Sequence, residues 1–172
     1  MLVDVFGEAH RQAPEEIVLD IDTTDVALHG EQEGRFFHGY YDHYCYLPLY
    51  VFCGEHLLCA RLRRANLDAA AGSVAEIQRI IEHLRQHWPQ VRIILRGDSG
   101  FCRDELMNWG EDHRVDYVFG FARKERLRSW IAESLAPAAR QWEQTQETRS
   151  DLCRVLRGDH HGFLEPAAAY GG

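Results

Sequence analysis

Residues 17–22 read Ile-Val-Leu-Asp-Ile-Asp, and this stretch carries the first strong structural signal of the chain. Apolar residues dominate as far as Leu19, and aspartates enter at Asp20 and Asp22. A short apolar run of this kind is typical of a buried β-strand, and the aspartates indicate that the strand leaves the core at its carboxyl end. We therefore predict a strand that ends in acidic side chains.

After this strand the pattern predicts further strands first, and then helices that alternate with strands. A polar loop or short hairpin from Thr23 to Arg35 comes first. Three strands are predicted next, at Phe36 to Tyr46, Leu47 to Phe52 and Leu57 to Arg63. The remaining predicted elements are a helix from Asp68 to His87, a strand from Val91 to Leu95, a helix from Arg103 to His113, a strand from Asp116 to Ala122 and a helix from Arg123 to Trp142. This order predicts an α/β fold with a mixed sheet flanked by helices.

Two aspartates, Asp22 and Asp98, follow the carboxyl ends of predicted strands, where open α/β sheets usually place their binding crevice. Two neighbouring carboxylates repel each other unless a cation lies between them, and oxygen ligands suit Mg²⁺ or Mn²⁺. Two such ions about 4 Å apart can activate the attacking and leaving oxygens of a phosphoryl transfer. On spacing alone, however, the simpler interpretation is favoured, in which each aspartate caps the turn or helix that follows it.

The composition, 45% hydrophobic and 27% charged, is that of an ordinary folded protein. The length of 172 residues is enough for one domain. No apolar run approaches the roughly 20 residues that span a bilayer, and the N-terminus lacks the features of a signal peptide. We therefore expect a cytoplasmic protein without a membrane partner. The five cysteines are odd in number and form no C-x-x-C pair, which argues against a disulfide framework or a structural zinc site.

The net charge of −8 counts against a self-sufficient nucleic-acid binder, which normally carries a basic excess. It suits a site that binds cations through carboxylates, and equally a fragment whose basic DNA-binding regions lie elsewhere. Composition does not separate these two interpretations. A small basic cluster, Arg61, Arg63 and Arg64, is a candidate contact for DNA phosphate, although solvated side chains at the end of an element explain it equally well.

Four long segments, in order, resemble the insertion-sequence transposases of the DDE type: IVLDIDTTD (17–25), HGEQEGRFFHGYYDHYCYLPLYVFCGEHLLCARLR (29–63), RIILRGDSGFCRDELMNW (92–109) and VDYVFGFARKERL (115–127). The resemblance covers roughly residues 1 to 145. It implies a ribonuclease-H-like fold, a mixed sheet whose first three strands are antiparallel and which is flanked by helices. It also implies metal-dependent cleavage and strand transfer of DNA, with transposon ends and target DNA as partners.

The resemblance assigns Asp22 and Asp98 as catalytic residues and as ligands of Mg²⁺ or Mn²⁺. Asp22, followed by Thr23 and Thr24, matches the family's first aspartate, which bridges the two ions. Asp98, in Arg-Gly-Asp-Ser-Gly-Phe, matches the second. We prefer Asp22 to Asp20 for two reasons: the threonines follow Asp22, and we expect Asp20 to point to the opposite face of the strand. The family's third carboxylate is a glutamate on a later helix, and neither Glu147 nor Glu165 has the matching context.

These observations predict a partial catalytic domain at residues 1–146 and an irregular tail, possibly foreign to the family, at 147–172. The chain looks truncated at both ends relative to the family, so we expect it to be inactive alone, with self-association possible. One non-enzymatic alternative is a transposase remnant without activity.

The other alternative is a phosphatase of the haloacid-dehalogenase type, because Asp20-Ile21-Asp22-Thr23-Thr24 fits its D-x-D-x-T signature, with Asp20 as nucleophile and Asp22 as general acid. That family needs a lysine between its motifs, and the first lysine here is Lys124. Strands Phe36–Tyr46 and Leu57–Arg63 running antiparallel to the Asp22 strand would exclude it.

Overall fold

The computed structural model describes residues 2–10 and 12–120, together with the single residues 129, 132 and 140. The predicted helix from Arg123 to Trp142 and the predicted irregular tail at 147–172 lie outside the continuous described ranges. None of the described helices is long and apolar enough to cross a membrane.

The described elements confirm the predicted change from strands to alternating helices and strands. The helices are α1 (Leu2–Ala9), α2 (Ser73–His87) and α3 (Asp104–Asp112). The strands are β1 (Glu16–Thr23), β2 (Val26–Ala27), β3 (Phe36–His38), β4 (His43–Tyr46), β5 (Leu49–Cys53), β6 (His56–Arg61), β7 (Arg92–Gly97) and β8 (Asp116–Phe119). Helix α1 was not predicted from the sequence.

A five-stranded mixed sheet in the order β6-β5-β1-β7-β8 forms the framework of the molecule. On one side of β1, β5 is antiparallel to β1 and β6 is antiparallel to β5. On the other side, β7 is parallel to β1 and β8 is parallel to β7. The carboxyl ends of β1, β7 and β8 therefore meet at one edge of the sheet.

The main core lies between one face of this sheet and the helices. In β1, Ile17, Leu19 and Ile21 are buried, as the two-residue period of a strand requires. They belong to the same apolar cluster as the buried stripe of α2, which consists of Ile77, Ile80, Ile81 and Leu84. Full burial of each such side chain contributes about 1.5–3 kcal/mol of transfer free energy, so this face holds β1 in place.

A second sheet of three strands, in the order β2-β4-β3, corrects the predicted arrangement. The prediction of one strand from Phe36 to Tyr46 was wrong, because a turn divides the segment into β3 and β4. These two strands pair antiparallel, with His38 opposite His43. Asp42 in that turn has a positive φ of 57°, a conformation that aspartate tolerates better than most residues.

The strand arrangement that would have excluded the phosphatase is not the one observed. The strand antiparallel to β1 is Leu49–Cys53, whereas Phe36–Tyr46 lies in the second sheet and β6 pairs with β5. Pro48 stands between β4 and β5 and has no backbone N–H for a sheet ladder, which separates the two sheets at this point.

Candidate active site

Asp22 and Asp98 lie on neighbouring strands at the same edge of the sheet. The parallel register of β1 and β7 pairs Asp20 with Arg96 and Ile21 with Gly97, so Asp22 and Asp98 come next along the two chains. Asp22 is the penultimate residue of β1, and Asp98 follows the last residue of β7 directly. The sequence prediction that each aspartate stands at the carboxyl end of a strand is therefore confirmed.

The two carboxylates affect each other electrostatically. Burial raises the pKa of Asp22, the backbone N–H of Thr23 lowers it, and the negative charge of Asp98 raises it, with a net increase. Like-charge repulsion of this kind requires the two carboxyl groups to be close in space. A bound cation would remove both the repulsion and part of the desolvation penalty.

Each aspartate has one oxygen fixed by the backbone. Thr23 N donates to Asp22 Oδ1 at 2.8 Å, and Gly100 N donates to Asp98 Oδ1 at 2.8 Å. The second contact depends on the glycine, because a Cβ at position 100 would lie 2.9 Å from Asp98 Oδ1. These hydrogen bonds orient the carboxylates, as the turn-capping interpretation expects, and leave Oδ2 of each available to a ligand.

Gly97 allows the close approach of the two strands just before the aspartates. A Cβ at this position would lie 2.9 Å from Ile21 Cγ2 and 3.3 Å from Ile21 O, closer than packed side chains allow. Gly97 O also accepts a hydrogen bond from Gly120 N at 2.9 Å, which ties the end of β7 to the residue after β8. The sequence Arg-Gly-Asp-Ser-Gly thus has a steric reason for both of its glycines.

The expectation that Asp20 faces the opposite side of β1 was wrong. Residues two apart in a strand share a face, and both Asp20 and Asp22 alternate with the buried Leu19 and Ile21. What distinguishes Asp20 is its partner: Arg96 Nε and Nη2 both donate to its carboxylate. Asp20 therefore forms a bidentate ion pair with Arg96 of the neighbouring strand β7.

Three further polar groups around the segment after β1 were missed by the sequence analysis. Asp25 Oδ2 lies 2.7 Å from His43 Nε2, which joins the segment after β1 to β4. The pKa of the Tyr41 phenol is raised by burial and by the charges of Asp25, Tyr40 and Asp22, so this tyrosine is also near the carboxylates. The available signal for Asp25 was its place as the third aspartate of Asp-Ile-Asp-Thr-Thr-Asp, residues 20–25.

The proposed basic cluster is divided between different structural roles. Arg63 is buried, and its guanidinium donates to Leu47 O, Ala69 O and Ala71 O at 2.7–3.0 Å. Arg61 pairs with Glu76 at 2.8 Å. The prediction that Arg63 contacts DNA phosphate is therefore wrong, because the side chain is buried and donates to backbone carbonyls inside the fold.

Comparison with known protein families gives a match over most of the chain. The family model described as Transposase DDE domain group 1 covers residues 1–161. That range includes Asp22, Asp98 and every described helix and strand. No curated protein matches the chain.

Proposed function

The chain belongs to the transposase DDE domain family, group 1, and from this premise we propose that residues 1–146 form part of a catalytic domain for DNA strand cleavage and strand transfer. The family acts on DNA, and its domains generally use divalent metals.

One observation carries the assignment of the site. Asp22 and Asp98 end neighbouring parallel strands, and the charge of Asp98 raises the pKa of Asp22. Carboxyl ends of parallel strands are the usual location of binding sites in α/β sheets. Two carboxylates that repel each other there form a favourable environment for a cation.

The donor set fits Mg²⁺ or Mn²⁺, since hard divalent cations prefer carboxylate oxygens. Asp22 and Asp98 would hold the cation through Oδ2, because Oδ1 of each accepts a backbone N–H. When bound, the cation supplies Lewis-acid activation of the attacking and leaving oxygens in phosphoryl transfer. The protein residues contribute the position and the negative charge, and the hydrogen bonds from Thr23 and Gly100 keep both carboxylates oriented.

The proposed fold type is ribonuclease-H-like. The order β6-β5-β1-β7-β8 supports it, because the first three strands of that sheet in chain order (β1, β5 and β6) are successively antiparallel and the last two are parallel to β1. The small sheet β2-β4-β3 is then an addition between the first and second strands of the main sheet.

We favour this function over a phosphatase of the haloacid-dehalogenase type. The phosphatase would use Asp20 as its nucleophile, and both oxygens of that carboxylate accept hydrogen bonds from Arg96. The absence of a lysine before Lys124 in the sequence also argues against it. Beyond the match of residues 20–24 to its signature, no observation on the described residues favours the phosphatase.

We further propose that the chain does not cleave DNA by itself. Its sequence offers no glutamate in the context of the family's third carboxylate, and two carboxylates hold divalent cations weakly. The tail boundary at 147, the cytoplasmic location and self-association stay predictions.

Mn²⁺ binding to the full chain tests the proposed site. We expect Asp22→Asn and Asp98→Asn each to weaken Mn²⁺ binding by about tenfold or more, measured by electron paramagnetic resonance of free Mn²⁺. The matched control is Asp112→Asn, the same change at an exposed residue that ends α3. Its affinity should stay within about twofold of the original chain.

Equal Mn²⁺ affinities for the original chain, Asp22→Asn and Asp98→Asn would contradict the proposed site. So would a decrease that Asp112→Asn reproduces, because the effect would then reflect net charge alone. Circular dichroism of each variant separates loss of binding from loss of fold.

A further inference from the structure

A second cluster of potential metal ligands lies on the helices, apart from the aspartate pair. Asp4 of α1 and His83 and His87 of α2 each place one ligand atom within 4.8 Å of the others. His83 Nε2 lies 2.6 Å from Asp4 Oδ1, and the rings of His83 and His87 are 5.6 Å apart. The three side chains are half-buried or exposed, so an ion in solution can reach them.

The two histidines have the spacing of a chelating pair. Residues four apart on an α-helix lie on the same face, about 5–6 Å between their Cβ atoms, and histidines at this spacing can bind one metal ion together. Gly7 of α1 lies against the His87 ring, where a Cβ would stand 3.5 Å away. The His87 imidazole thus lies next to α1, at the junction of the two helices.

The cluster lies at the end of the sheet opposite the candidate active site. Helix α2 ends at His87 and β7 begins at Arg92, so His87 is near the amino end of β7. Asp98 follows the carboxyl end of the same strand. An ion at the cluster would therefore be separated from Asp22 and Asp98 by the length of β7, about 20 Å for six residues.

We propose that Asp4, His83 and His87 form a site for a first-row transition-metal cation of the Zn²⁺ type. Imidazole nitrogens with a carboxylate oxygen select such ions over Mg²⁺, which prefers oxygen ligands alone. Ligand atoms around a tetrahedral zinc ion lie about 3.4 Å apart, given bonds of about 2.1 Å. One pair of these atoms is 2.6 Å apart and the other pairs are at most 4.8 Å apart. Side-chain rotations would therefore bring all three atoms to one ion, with water in the fourth position.

The structural consequence is a link between α1 and α2. Helix α1 has eight residues and packs through Val3 and Phe6. A bound ion would join it to a helix of the main core, and an ion that binds only the folded state stabilises that state by mass action.

Cobalt provides the direct test, because Co²⁺ replaces Zn²⁺ and reports nitrogen ligation by its visible absorption. The full chain carrying Asp22→Asn and Asp98→Asn, which removes the candidate active-site carboxylates, is titrated with Co²⁺. We expect one equivalent to bind with the visible bands of a low-coordinate site, and Zn²⁺ to displace it. Zn²⁺ should also raise the melting temperature of the same protein.

Two further variants identify the ligands. His87→Ala and Asp4→Asn should each weaken Co²⁺ binding by more than the about 10–100-fold that loss of an outer-shell partner costs. His29→Ala is the matched control, an exposed histidine outside the cluster, and it should bind as before. Circular dichroism establishes that each variant is folded.

No Co²⁺ bands in the folded chain, or bands that persist in both His87→Ala and Asp4→Asn, would overturn the proposal. Loss of the bands in His29→Ala as well would overturn it too. Because the aspartate pair is already removed, none of these outcomes depends on the proposed transposase site.

Discussion

At Asp22 the proposed function favours an ionised carboxylate, whereas the metal-free fold favours a protonated one. Its carboxylate is partly desolvated and faces the charge of Asp98, and both effects raise its pKa. Ionisation at neutral pH therefore lowers the stability of the metal-free fold. A residue that costs stability in this way and that ends a core strand is typical of a functional site.

Asp22→Asn should make the metal-free chain slightly more stable at pH 7. The folded-state pKa lies above the ordinary value of 3.8, so the folded protein binds the proton more tightly. The stabilisation from that proton is fully present below pH 3.8 and is lost as pH rises through the folded-state pKa. Asparagine removes this loss, and we expect a gain of about 0.5 kcal/mol in the free energy of unfolding, discounted for solvent exposure.

Urea unfolding with a chelator present measures this difference at pH 7 and at acidic pH. The gain should shrink as the pH falls through the folded-state pKa, because the original carboxyl group is then protonated. Asp112→Asn serves as the control for an exposed aspartate at a helix end. A variant Asp22→Asn that is less stable than the original chain at pH 7 would contradict the electrostatic account.

At the level of single elements, the sequence predicted most of the strands and helices that form the core, but not where some of them begin and end. The strand at 17–22, the helix at 103–113 and the strand starting at Val91 are confirmed as β1, α3 and β7, because burial imposes a period that the residues display. The helix predicted from Asp68 begins at Ser73. Ala71 N bonds back to Asp68 O, and Gly72 has a φ of 72°, so a turn occupies the residues before α2.

The second sheet could not be predicted from local patterns. Phe36 to Tyr46 has the composition of one strand, and only the positive φ at Asp42 and the pairing of β4 with both β2 and β3 show a hairpin in a separate sheet. Long-range pairing of this kind is set by tertiary contacts rather than by propensity.

For the candidate site, the apolar runs before Asp22 and Asp98 predicted that each stands at the carboxyl end of a strand, and the family resemblance assigned both as metal ligands, which stays a prediction. The sequence did not reveal the partner of Asp20, since Arg96 is 76 positions away and only the register of β1 with β7 brings them together. It also missed the histidine pair on α2, although His83-Leu84-Arg85-Gln86-His87 has helical spacing.

At the scale of the whole molecule, we propose that the chain supplies two of the three carboxylates of the family, Asp22 and Asp98, without the third. We expect no measurable cleavage of transposon-end DNA by this chain alone in Mg²⁺ or Mn²⁺, because the third carboxylate has no match in its sequence. Gel analysis of labelled DNA ends measures this, with an active transposase on its own ends as the positive control. Robust cleavage that disappears in Asp22→Ala would contradict the prediction.

The central claim is that Asp22 and Asp98 together bind a divalent cation. Anomalous X-ray diffraction from crystals of the full chain grown with Mn²⁺ tests it most directly. The account predicts a manganese peak in contact with the carboxylates of both Asp22 and Asp98, at the carboxyl ends of β1 and β7. Crystals with manganese bound elsewhere and none between these two carboxylates would contradict it.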